Sequence, residues 1–265
     1  MEATTIRDAK KIVIKIGSTT ITSPDGSIDR EFLHSFATQI KKLMDQGRKV
    51  ILVSSGAGAA GANTIGKWSR KEDLHYKQAL CAIGQVELMD SYRRTFNQHG
   101  IHIAQILLTK EDFDSSQRTM NIRNTLFTLV DEGVLPIVNE NDTVSTDEIK
   151  IGDNDILAAN TAVVWGADLL VIMSQIKGIY DNNPNINGDA HVVPLVENID
   201  VLEEKLFSSD PEATKAGGIK TKLKAARLAN KYGIPMIVTH GKTKEIIDRI
   251  TSGDIEGTLF APRNR

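Results

Sequence analysis

The sequence predicts an α/β fold, a three-layer αβα sandwich with a mainly parallel central sheet. Short apolar segments alternate with longer segments of helical periodicity, which is the pattern of parallel strands joined by helices. Several short segments are apolar on both faces, as expected for strands that helices cover on both sides. With 265 residues, 40% of them hydrophobic, the chain can bury a substantial core. We expect a single domain spanning residues 1–265.

The individual elements follow from these patterns in chain order. Apolar segments predict strands at 11–16, 50–53, 101–108, 135–138, 169–173 and 236–238, with residues 257–260 returning to the sheet edge. Helical periodicity predicts helices at 74–96, 118–132, 156–165, 221–232 and 244–250, and a helix that Asp29 caps and that continues to Gln46. Loose alternation predicts a small hairpin at 144–151, and a loop at 181–188 predicts a surface connection.

Charge and cysteine content exclude several classes of protein. The net charge of −2 gives no electrostatic reason to expect nucleic acid or a membrane surface as a partner. Cys81 is the only cysteine, which precludes an intrachain disulfide, and we expect it to pack as a small apolar side chain. The polar N-terminal residues lack the apolar core of a signal peptide, and no apolar run reaches the length of a membrane span. We therefore expect a cytoplasmic protein.

A cluster of acids and amides follows the predicted strand at 135–138. Its members are Asn139, Glu140, Asn141, Asp142, Asp153, Asn154 and Asp155. A solvated polar turn is one interpretation. A calcium loop beginning at Asn139 is disfavoured, because Val144 stands where glycine is needed and Lys150 where glutamate is needed. We favour a pocket for a small zwitterion, since strand ends collect ligands and carboxylates bind an ammonium group.

Lysines and glycines form two candidate anion sites. Lys15 ends the first strand beside Gly17 and Ser18, where it either faces solvent or meets an anion. The segment 215–222 opens the helix at 221–232 with two glycines and three lysines, including Lys220 and Lys222. Lysines are unfavourable at the positive end of a helix dipole, so an anion is expected there unless the turn is merely solvated.

The segment 56–61 reads G-A-G-A-A-G and matches the dinucleotide fingerprint literally. That fingerprint requires a second strand ending in an acidic residue about 20 residues further on, whereas this chain has a polar segment there. The alternative is that the small residues let backbone N–H groups at a helix start approach a substrate carboxylate. In that interpretation Ser55 adds a hydroxyl group.

Two lysine sites, two glycine-rich turns and an acidic pocket all lie at strand ends or helix starts. Transfer of a phosphoryl group to a small acidic substrate needs this combination, because its catalysis is mostly positioning and charge neutralisation. A carboxylate acceptor needs no general base, since a glutamate-type carboxyl with a pKa of about 4.3 is already ionised at pH 7.

The chain resembles the amino acid kinase family in motifs that occur in family order. The matching segments are V-I-K-I-G-S (13–18), V-S-S-G-A (53–57), A-I-G-Q (82–85), Q-I-L-L-T (105–109), V-N-E-N-D (138–142), E-I-K-I-G-D-N-D (148–155), K-G-I-Y (177–180), G-G-I-K-T-K-L-K-A-A (217–226) and G-T-L-F (257–260). Within the family, the similarity is greatest to the members that phosphorylate the side-chain carboxylate of L-glutamate, the first step of proline biosynthesis.

The resemblance implies a role for each matching residue. Lys15 and Lys222 would stabilise the transferring phosphate, and Asp153 would hold the two lysines. The glutamate-binding residues would be Ser55, Gly56, Ala57, Asn139, Asp142, Asn154 and Asp155. The nucleotide-binding residues would be Lys15, Gly17, Ser18, Ser174, Gln175, Tyr180, Ala216, Gly217, Gly218, Ile219, Lys220, Thr221 and Lys222. ATP and Mg²⁺ would be the cofactors, with magnesium arriving on the nucleotide and no dedicated metal site in the protein.

The chain departs from the family pattern at three places. Ser174-Gln175 stands where members usually carry Thr-Asp or Ser-Asp, Ala216 stands where threonine is common, and Lys220 is an addition. Many bacterial members also carry a C-terminal PUA domain, which we do not expect here because the chain ends shortly after G-T-L-F.

The expected partners also follow from the resemblance. They are L-glutamate as substrate, glutamyl phosphate reductase downstream, proline as feedback inhibitor and further copies of the chain in a dimer or tetramer. Three alternatives remain: a related kinase acting on N-acetylglutamate or another small acid, a non-catalytic sensor on the same fold, and a nicotinamide dehydrogenase.

Overall fold

A computed structural model of the protein describes residues 2–66, 73–145, 154–184, 186–209 and 217–262. The described helices are α1 (Glu2–Asp8), α2 (Ser18–Ile21), α3 (Arg30–Asp45), α4 (Ala57–Ile65), α5 (Leu74–Asn97), α6 (Glu111–Asp114), α7 (Ser116–Asp131), α8 (Asp155–Trp165), α9 (Ile199–Ser209), α10 (Gly217–Lys231) and α11 (Ile246–Ser252). The described strands are β1 (Lys11–Ile16), β2 (Lys49–Ser54), β3 (Ile103–Leu108), β4 (Leu135–Glu140), β5 (Leu169–Ser174), β6 (Leu195–Val196), β7 (Met236–His240) and β8 (Thr258–Phe260). Within these ranges, each helix is too short or too polar to cross a bilayer.

The eight described strands form one sheet in the order β3-β4-β2-β1-β5-β7-β8-β6. Neighbouring strands are parallel except β7 and β8, which are antiparallel. Strands β4, β2, β1 and β5 are consecutive in this order, so their carboxyl ends lie side by side at one edge of the sheet. The predicted α/β class with a mainly parallel sheet is confirmed.

Strand β1 illustrates how sequence alternation builds the two faces of the sheet. Ile12, Ile14 and Ile16 are fully buried in one core, together with residues of α3 and α5. Val13 is buried in the other core, together with residues of α8 and α10. Successive side chains of a strand point to opposite faces, so Lys15 shares the face of Val13. The first lysine therefore faces α8 and α10 because of its position in the strand.

Several boundaries differ from the sequence prediction. Helix α10 begins at Gly217 rather than at residue 221, and the short strand β6 and helix α9 carried no sequence prediction. Strand β8 was predicted at the sheet edge, but it lies between β7 and β6, and β6 forms that edge. The strand β6 could not be predicted because a strand of two residues is too short to show an alternating pattern. The predicted hairpin at 144–151 falls mostly outside the described residues.

Candidate active site

A buried ion cluster lies where β1, α8 and α10 meet. The ammonium Nζ of Lys15 is 2.9 Å from Asp155 Oδ1, and the Nζ of Lys222 is 2.9 Å from Asp155 Oδ2. The side chain of Asp155 is fully buried, and those of both lysines are 6% exposed. We call these three residues the lysine clamp. One carboxylate therefore brings together two ammonium groups that are more than 200 residues apart in the chain.

The position of Asp155 at the start of α8 favours its charged form. Asp155 is the first residue of that helix, where the helix dipole stabilises a negative charge. The hydroxyl of Thr221 also donates to Asp155 Oδ2, at 3.4 Å. The carboxylate is therefore held by cations and donors from several elements, as a buried charge must be.

The sequence had suggested that Asp153 would hold the lysines and that Asp155 would lie near the substrate. Asp153 lies outside the described residues, and the contact to both lysines is made by Asp155. The placement of Lys222 also differs from the prediction, because α10 begins at Gly217 and Lys222 is in its second turn. Lys222 Nζ donates to the carbonyl of Gly218 at 3.3 Å. The ammonium group of Lys222 is thus held by Asp155 and by the carbonyl of Gly218, and Lys222 does not lie in the first turn of the helix as predicted.

Two asparagines predicted to bind substrate form a hydrogen-bonded pair beside the clamp. Asn154 Nδ2 donates to Asn139 Oδ1 at 2.7 Å and to the backbone carbonyl of Ser54 at 2.8 Å. Asn139 Nδ2 donates to Gln85 Oε1 at 2.8 Å, and Gln85 Nε2 donates to Gln105 Oε1 at 3.0 Å. We call Asn154, Asn139, Gln85 and Gln105 the amide network. It joins the ends of β4 and α8 to α5 and β3.

Two further residues of the cluster, Asn141 and Asp142, have separate roles in the structure. Asn141 closes the turn after β4, because its Oδ1 accepts from Thr143 Oγ1 at 2.6 Å and its carbonyl accepts from Val144 N at 3.1 Å. The polar-turn interpretation therefore applies to Asn141. Asp142 is half-buried and lies against the thiol of Cys81. Burial, together with the charge of Asp142 and a hydrogen bond to it, raises the pKa of that thiol well above its usual value.

The turn at Ser55-Gly56-Ala57 joins β2 to α4 beside the first lysine's strand. Gly56 has φ of +103°, a left-handed conformation that favours glycine. A Cβ there would lie 2.9 Å from Ile21 Cγ2 and 4.0 Å from Ser18 Cα, so this turn packs against the turn that follows β1. The turn at Gly17-Ser18 and the turn at Ser55–Ala57, which were both predicted to approach an anion, are thus neighbours at the carboxyl ends of β1 and β2.

The last glycine of G-A-G-A-A-G, Gly61, and the glycine inside α5, Gly84, allow two helices to pack closely. A Cβ on Gly61 would lie 1.9 Å from the carbonyl oxygen of Leu80, and one on Gly84 would lie 1.8 Å from that of Ala57. The α4 and α5 backbones therefore cross in close contact through this pair of glycines. This packing accounts for the glycine spacing without a dinucleotide, as well as for the glycine inside α5.

Several of the predicted nucleotide-binding residues lie at the carboxyl ends of the neighbouring strands β1 and β5. Ser174 ends β5, and its carbonyl accepts from Gly241 N at 2.8 Å; Gln175 follows it and is exposed. Tyr180 pairs with Val192 in an isolated bridge. The turn at Gly17 is joined to β5 by a hydrogen bond from its N–H to the carbonyl of Met173, at 3.0 Å. Of the loop at the start of α10, Ala216 lies outside the described residues.

The sequence reasoning missed three residues of this region. Gln85 and Gln105 lie in two of the segments quoted for the resemblance, but no role was assigned to either, and Cys81 was interpreted only as an apolar side chain. A signal existed for Gln85, since it is the last residue of a motif that begins one residue after Cys81. Its partner could not be found, because Asn139 is 54 residues away in the chain.

Comparison with known proteins places this site in a family. A sequence model of the amino acid kinase family matches residues 10–240. That match covers most of the chain, and the chain belongs to the amino acid kinase family.

Individual relatives narrow the comparison. The chain is 55% identical to the glutamate 5-kinase of Alkaliphilus metalliredigens, over 96% of this chain and 97% of the relative. It is 41% identical to the glutamate 5-kinase of Clostridium acetobutylicum, over 98% of this chain and 97% of the relative. Among solved structures, an isopentenyl phosphate kinase is similar with a TM-score of 0.66 and 16% identity, covering 94% of this chain and 99% of that one. The UMP kinase of Ureaplasma parvum has a TM-score of 0.66 and 18% identity, covering 95% and 98%. These two structures share the fold with this chain.

Proposed function

We propose that this protein catalyses the ATP-dependent phosphorylation of the side-chain carboxylate of L-glutamate, giving L-glutamyl 5-phosphate and ADP at the first step of proline biosynthesis. The observation that carries the chemistry is the lysine clamp, which presents two ammonium groups at the carboxyl edge of the sheet. The substrate is supported by the high identity to glutamate 5-kinases over nearly the whole chain.

In the proposed reaction, an oxygen of the glutamate side-chain carboxylate forms a bond to the γ-phosphorus of ATP. The bond from that phosphorus to the β,γ-bridging oxygen breaks, and ADP leaves with the bond's electron pair. Lys15 and Lys222 stabilise the negative charge on the transferring oxygens, and Asp155 holds both ammonium groups in place. No general base is required, because the acceptor carboxylate is already ionised at neutral pH.

Nucleotide and metal are assigned to the part of the sheet edge beside the clamp. The turn at Gly17-Ser18, the end of β5 at Ser174 and the first turn of α10 would hold ATP. Both oxygens of Asp155 face lysine ammonium groups, so this carboxylate is poorly suited as a metal ligand. We therefore propose that magnesium enters on the nucleotide, where it neutralises phosphate charge.

The amino acid would bind on the other side of the clamp. Asp142 lies against Cys81, whose sulfur would be 3.3 Å from a Cβ on Gly58 of α4, and Asn154 donates to the carbonyl of Ser54, so both lie beside the start of α4. The N–H of Ser55 donates to the carbonyl of Ile16, which leaves the hydroxyl of Ser55 and the backbone N–H groups of Gly56 and Ala57 for a ligand. The carboxylate of Asp142 can bind the ammonium group of a free amino acid, and the start of α4 can bind the amino acid's carboxylate. We further propose that proline competes for this pocket, that a reductase consumes the reactive acyl phosphate in the cytoplasm, and that the chain acts as a dimer or tetramer.

The first experiment measures product formation with ATP and magnesium in the presence of glutamate, N-acetylglutamate or aspartate, with hydroxylamine to trap any acyl phosphate. Hydroxamate from glutamate alone would support the proposal. Product from N-acetylglutamate instead would replace the substrate, and no product from a folded protein that binds ATP would favour a sensor.

A pair of variants separates the clamp from general charge effects. Lys222→Met should lower kcat by at least about 100-fold, because it removes a buried donor to the transferring phosphate. Lys224→Met is the matched control, since Lys224 lies on the same helix but is exposed, and its kcat should stay within about two-fold of wild type. Equal activities of the two variants would refute the role of Lys222.

A further inference from the structure

Two glutamines, Gln85 and Gln105, remain without a role in the proposed chemistry. Gln85 lies in α5 and Gln105 in the edge strand β3, and their side chains are joined by a 3.0 Å hydrogen bond. Gln85 also accepts from Asn139 Nδ2 at 2.8 Å. Asn139 is 3% exposed and belongs to the proposed glutamate pocket. A continuous path of side-chain amides thus runs from an exposed strand to the substrate site.

Backbone groups beside Asn139 and Asn154 determine which atoms of these side-chain amides donate and which accept. The backbone N–H of Glu140 can only donate, and it donates to Asn139 Oδ1 at 2.9 Å. The carbonyl of Ser54 can only accept, and it accepts from Asn154 Nδ2 at 2.8 Å. Asn139 must therefore turn its NH₂ group outward, where it needs an acceptor. Gln85 Oε1 supplies that acceptor, and this orientation leaves Gln85 Nε2 to donate to Gln105.

The same contacts restrict what Asn154 can offer to a ligand. Its NH₂ group donates to Ser54 and to Asn139, so both hydrogens are used within the protein. The carbonyl oxygen is the atom of this side chain that remains for a substrate, and a carbonyl oxygen accepts hydrogen bonds. Asn154 is therefore suited to the ammonium group of an amino acid and not to its carboxylates.

We propose that Gln85 is a positioning residue for glutamate binding, which it supports by fixing the orientation of Asn139 and, through it, of Asn154; Gln105 supports Gln85 in turn. This inference rests on the proposed function and adds to it two residues that do not touch the substrate. An N–H group of a buried side chain that loses its acceptor is costly, and the side chain of Asn139 is buried. Removing the acceptor should therefore release Asn139 from its orientation.

The expected consequence is a change in KM for glutamate and not in kcat. The clamp residues Lys15 and Lys222 are held by the carboxylate of Asp155, which these substitutions leave in place, so phosphoryl transfer from the bound complex should persist. Loss of one oriented hydrogen bond in the pocket weakens binding by roughly 5- to 100-fold. The KM for ATP should stay unchanged, because the network lies on the amino acid side of the clamp.

The test compares isosteric variants with and without the acceptor. Gln85→Met should raise the glutamate KM about 10-fold or more, with kcat within about two-fold of wild type. Gln85→Glu keeps an acceptor oxygen for Asn139, and Gln105 can turn its amide to donate, so its KM should stay within about three-fold. Gln105→Met should have a smaller effect than Gln85→Met, and Gln105→Glu should behave as wild type.

Three results would overturn the inference. They are a wild-type glutamate KM in Gln85→Met, equal effects of Gln85→Met and Gln85→Glu, or a loss of kcat at unchanged KM. Thermal melting and the KM for ATP show whether Gln85→Met is misfolded. If it is, the glutamate KM of Gln105→Met is compared with that of Gln105→Glu instead, and equal values would overturn the inference. If the wild type makes no product with any acid, the proposed function fails, and calorimetric titration with glutamate tests the network separately. A dissociation constant raised in Gln85→Met but not in Gln85→Glu would then support it, and equal constants would refute it.

Discussion

The lysine clamp and the amide network meet at adjacent residues, Asn154 and Asp155, but they are built on different physical principles. The clamp joins three charged side chains from distant segments, and its carboxylate is fully buried. The network joins neutral side chains and is anchored on backbone groups of Ser54 and Glu140. Removing one member of a buried ion pair costs about 3–5 kcal/mol, whereas a neutral hydrogen bond contributes about 1 kcal/mol. The difference suggests a division of labour, in which charges perform the transfer and neutral amides recognise the acceptor.

The clamp should be the most sensitive part of the site. Asp155→Asn removes the negative charge between two buried ammonium groups, so kcat should fall at least about 100-fold and the free energy of unfolding by about 3–5 kcal/mol. The hydroxamate assay and urea denaturation measure these effects. Asp153→Asn is the comparator, because the sequence had suggested that residue for the same role. A larger kcat loss in Asp153→Asn than in Asp155→Asn would contradict the assignment to Asp155.

The contact of α4 and α5 at Gly61 and Gly84 should be the next most sensitive to substitution. Gly84→Ala places a Cβ 1.8 Å from the carbonyl oxygen of Ala57 and 2.3 Å from the nitrogen of Gly61. Backbone atoms cannot move aside cheaply, so the free energy of unfolding should fall by about 3 kcal/mol or more. Gly188→Ala is the control, since an added Cβ there meets nothing within 4 Å. The control should stay within about 0.5 kcal/mol of wild type. Equal urea midpoints would show that α4 and α5 do not cross in contact.

The thiol beside Asp142 tests the electrostatics of the amino acid side. Burial and the neighbouring carboxylate raise the pKa of Cys81, so the thiol should stay protonated at pH 8. Alkylation by iodoacetamide should be at least about 10-fold slower in the native protein than in urea, because the thiolate is the reactive form. As the only cysteine, Cys81 gives a single-site readout by mass. Equally fast alkylation in both states would place Cys81 outside the acidic pocket.

A histidine pair remote from both regions should give the smallest effect. Burial first, and then the proximity of His34 and Lys41, lower the pKa of His99; the two imidazole rings lie 5.0 Å apart. The unfolded chain therefore binds a proton more readily than the folded chain. Stability should be constant above a pH of about 6.5 and fall as the pH drops below it. Urea denaturation between pH 8 and 5 measures this trend, and a trend that persists undiminished in His99→Gln would exclude the histidine as its source.

The sequence predicted the strands that build the site, and it predicted Lys15, Asn139, Asn154 and Lys222 as members of it. Local patterns suffice to predict strands, because an apolar run of four to six residues indicates a buried strand without reference to distant residues. The sequence left open whether Lys15 faces solvent or an anion, and the structure shows that it lies on the same face of β1 as Val13, against Asp155. The structure brings Lys15 and Lys222 together, and their roles in the reaction remain predictions.

Side-chain partners were less accessible to sequence reasoning. Asp153 and Asp155 are both acids two residues apart in one motif, and no local pattern shows which one reaches the lysines. The helix start at Asp155 and its packing against β1 and α10 decide the contact. The packing role of the last glycine of G-A-G-A-A-G could not be predicted for the same reason, since it is explained only by Leu80 and Gly84 of another helix.

The amino acid sequence by itself determined the αβ alternation, the sheet edge at which polar residues collect and the residue types needed for phosphoryl transfer. Only the tertiary structure decided which carboxylate pairs with the two lysines, that glycines mediate a helix crossing, and that Gln85 and Gln105 join Asn139 in one hydrogen-bonded network. The physical reason is range. Strand and helix patterns depend on neighbours a few residues apart. The ion pairs of the clamp and the hydrogen bonds from Asn139 to Gln85 and from Asn154 to Ser54 join residues 54 or more positions apart, so they form only when the sheet has been assembled.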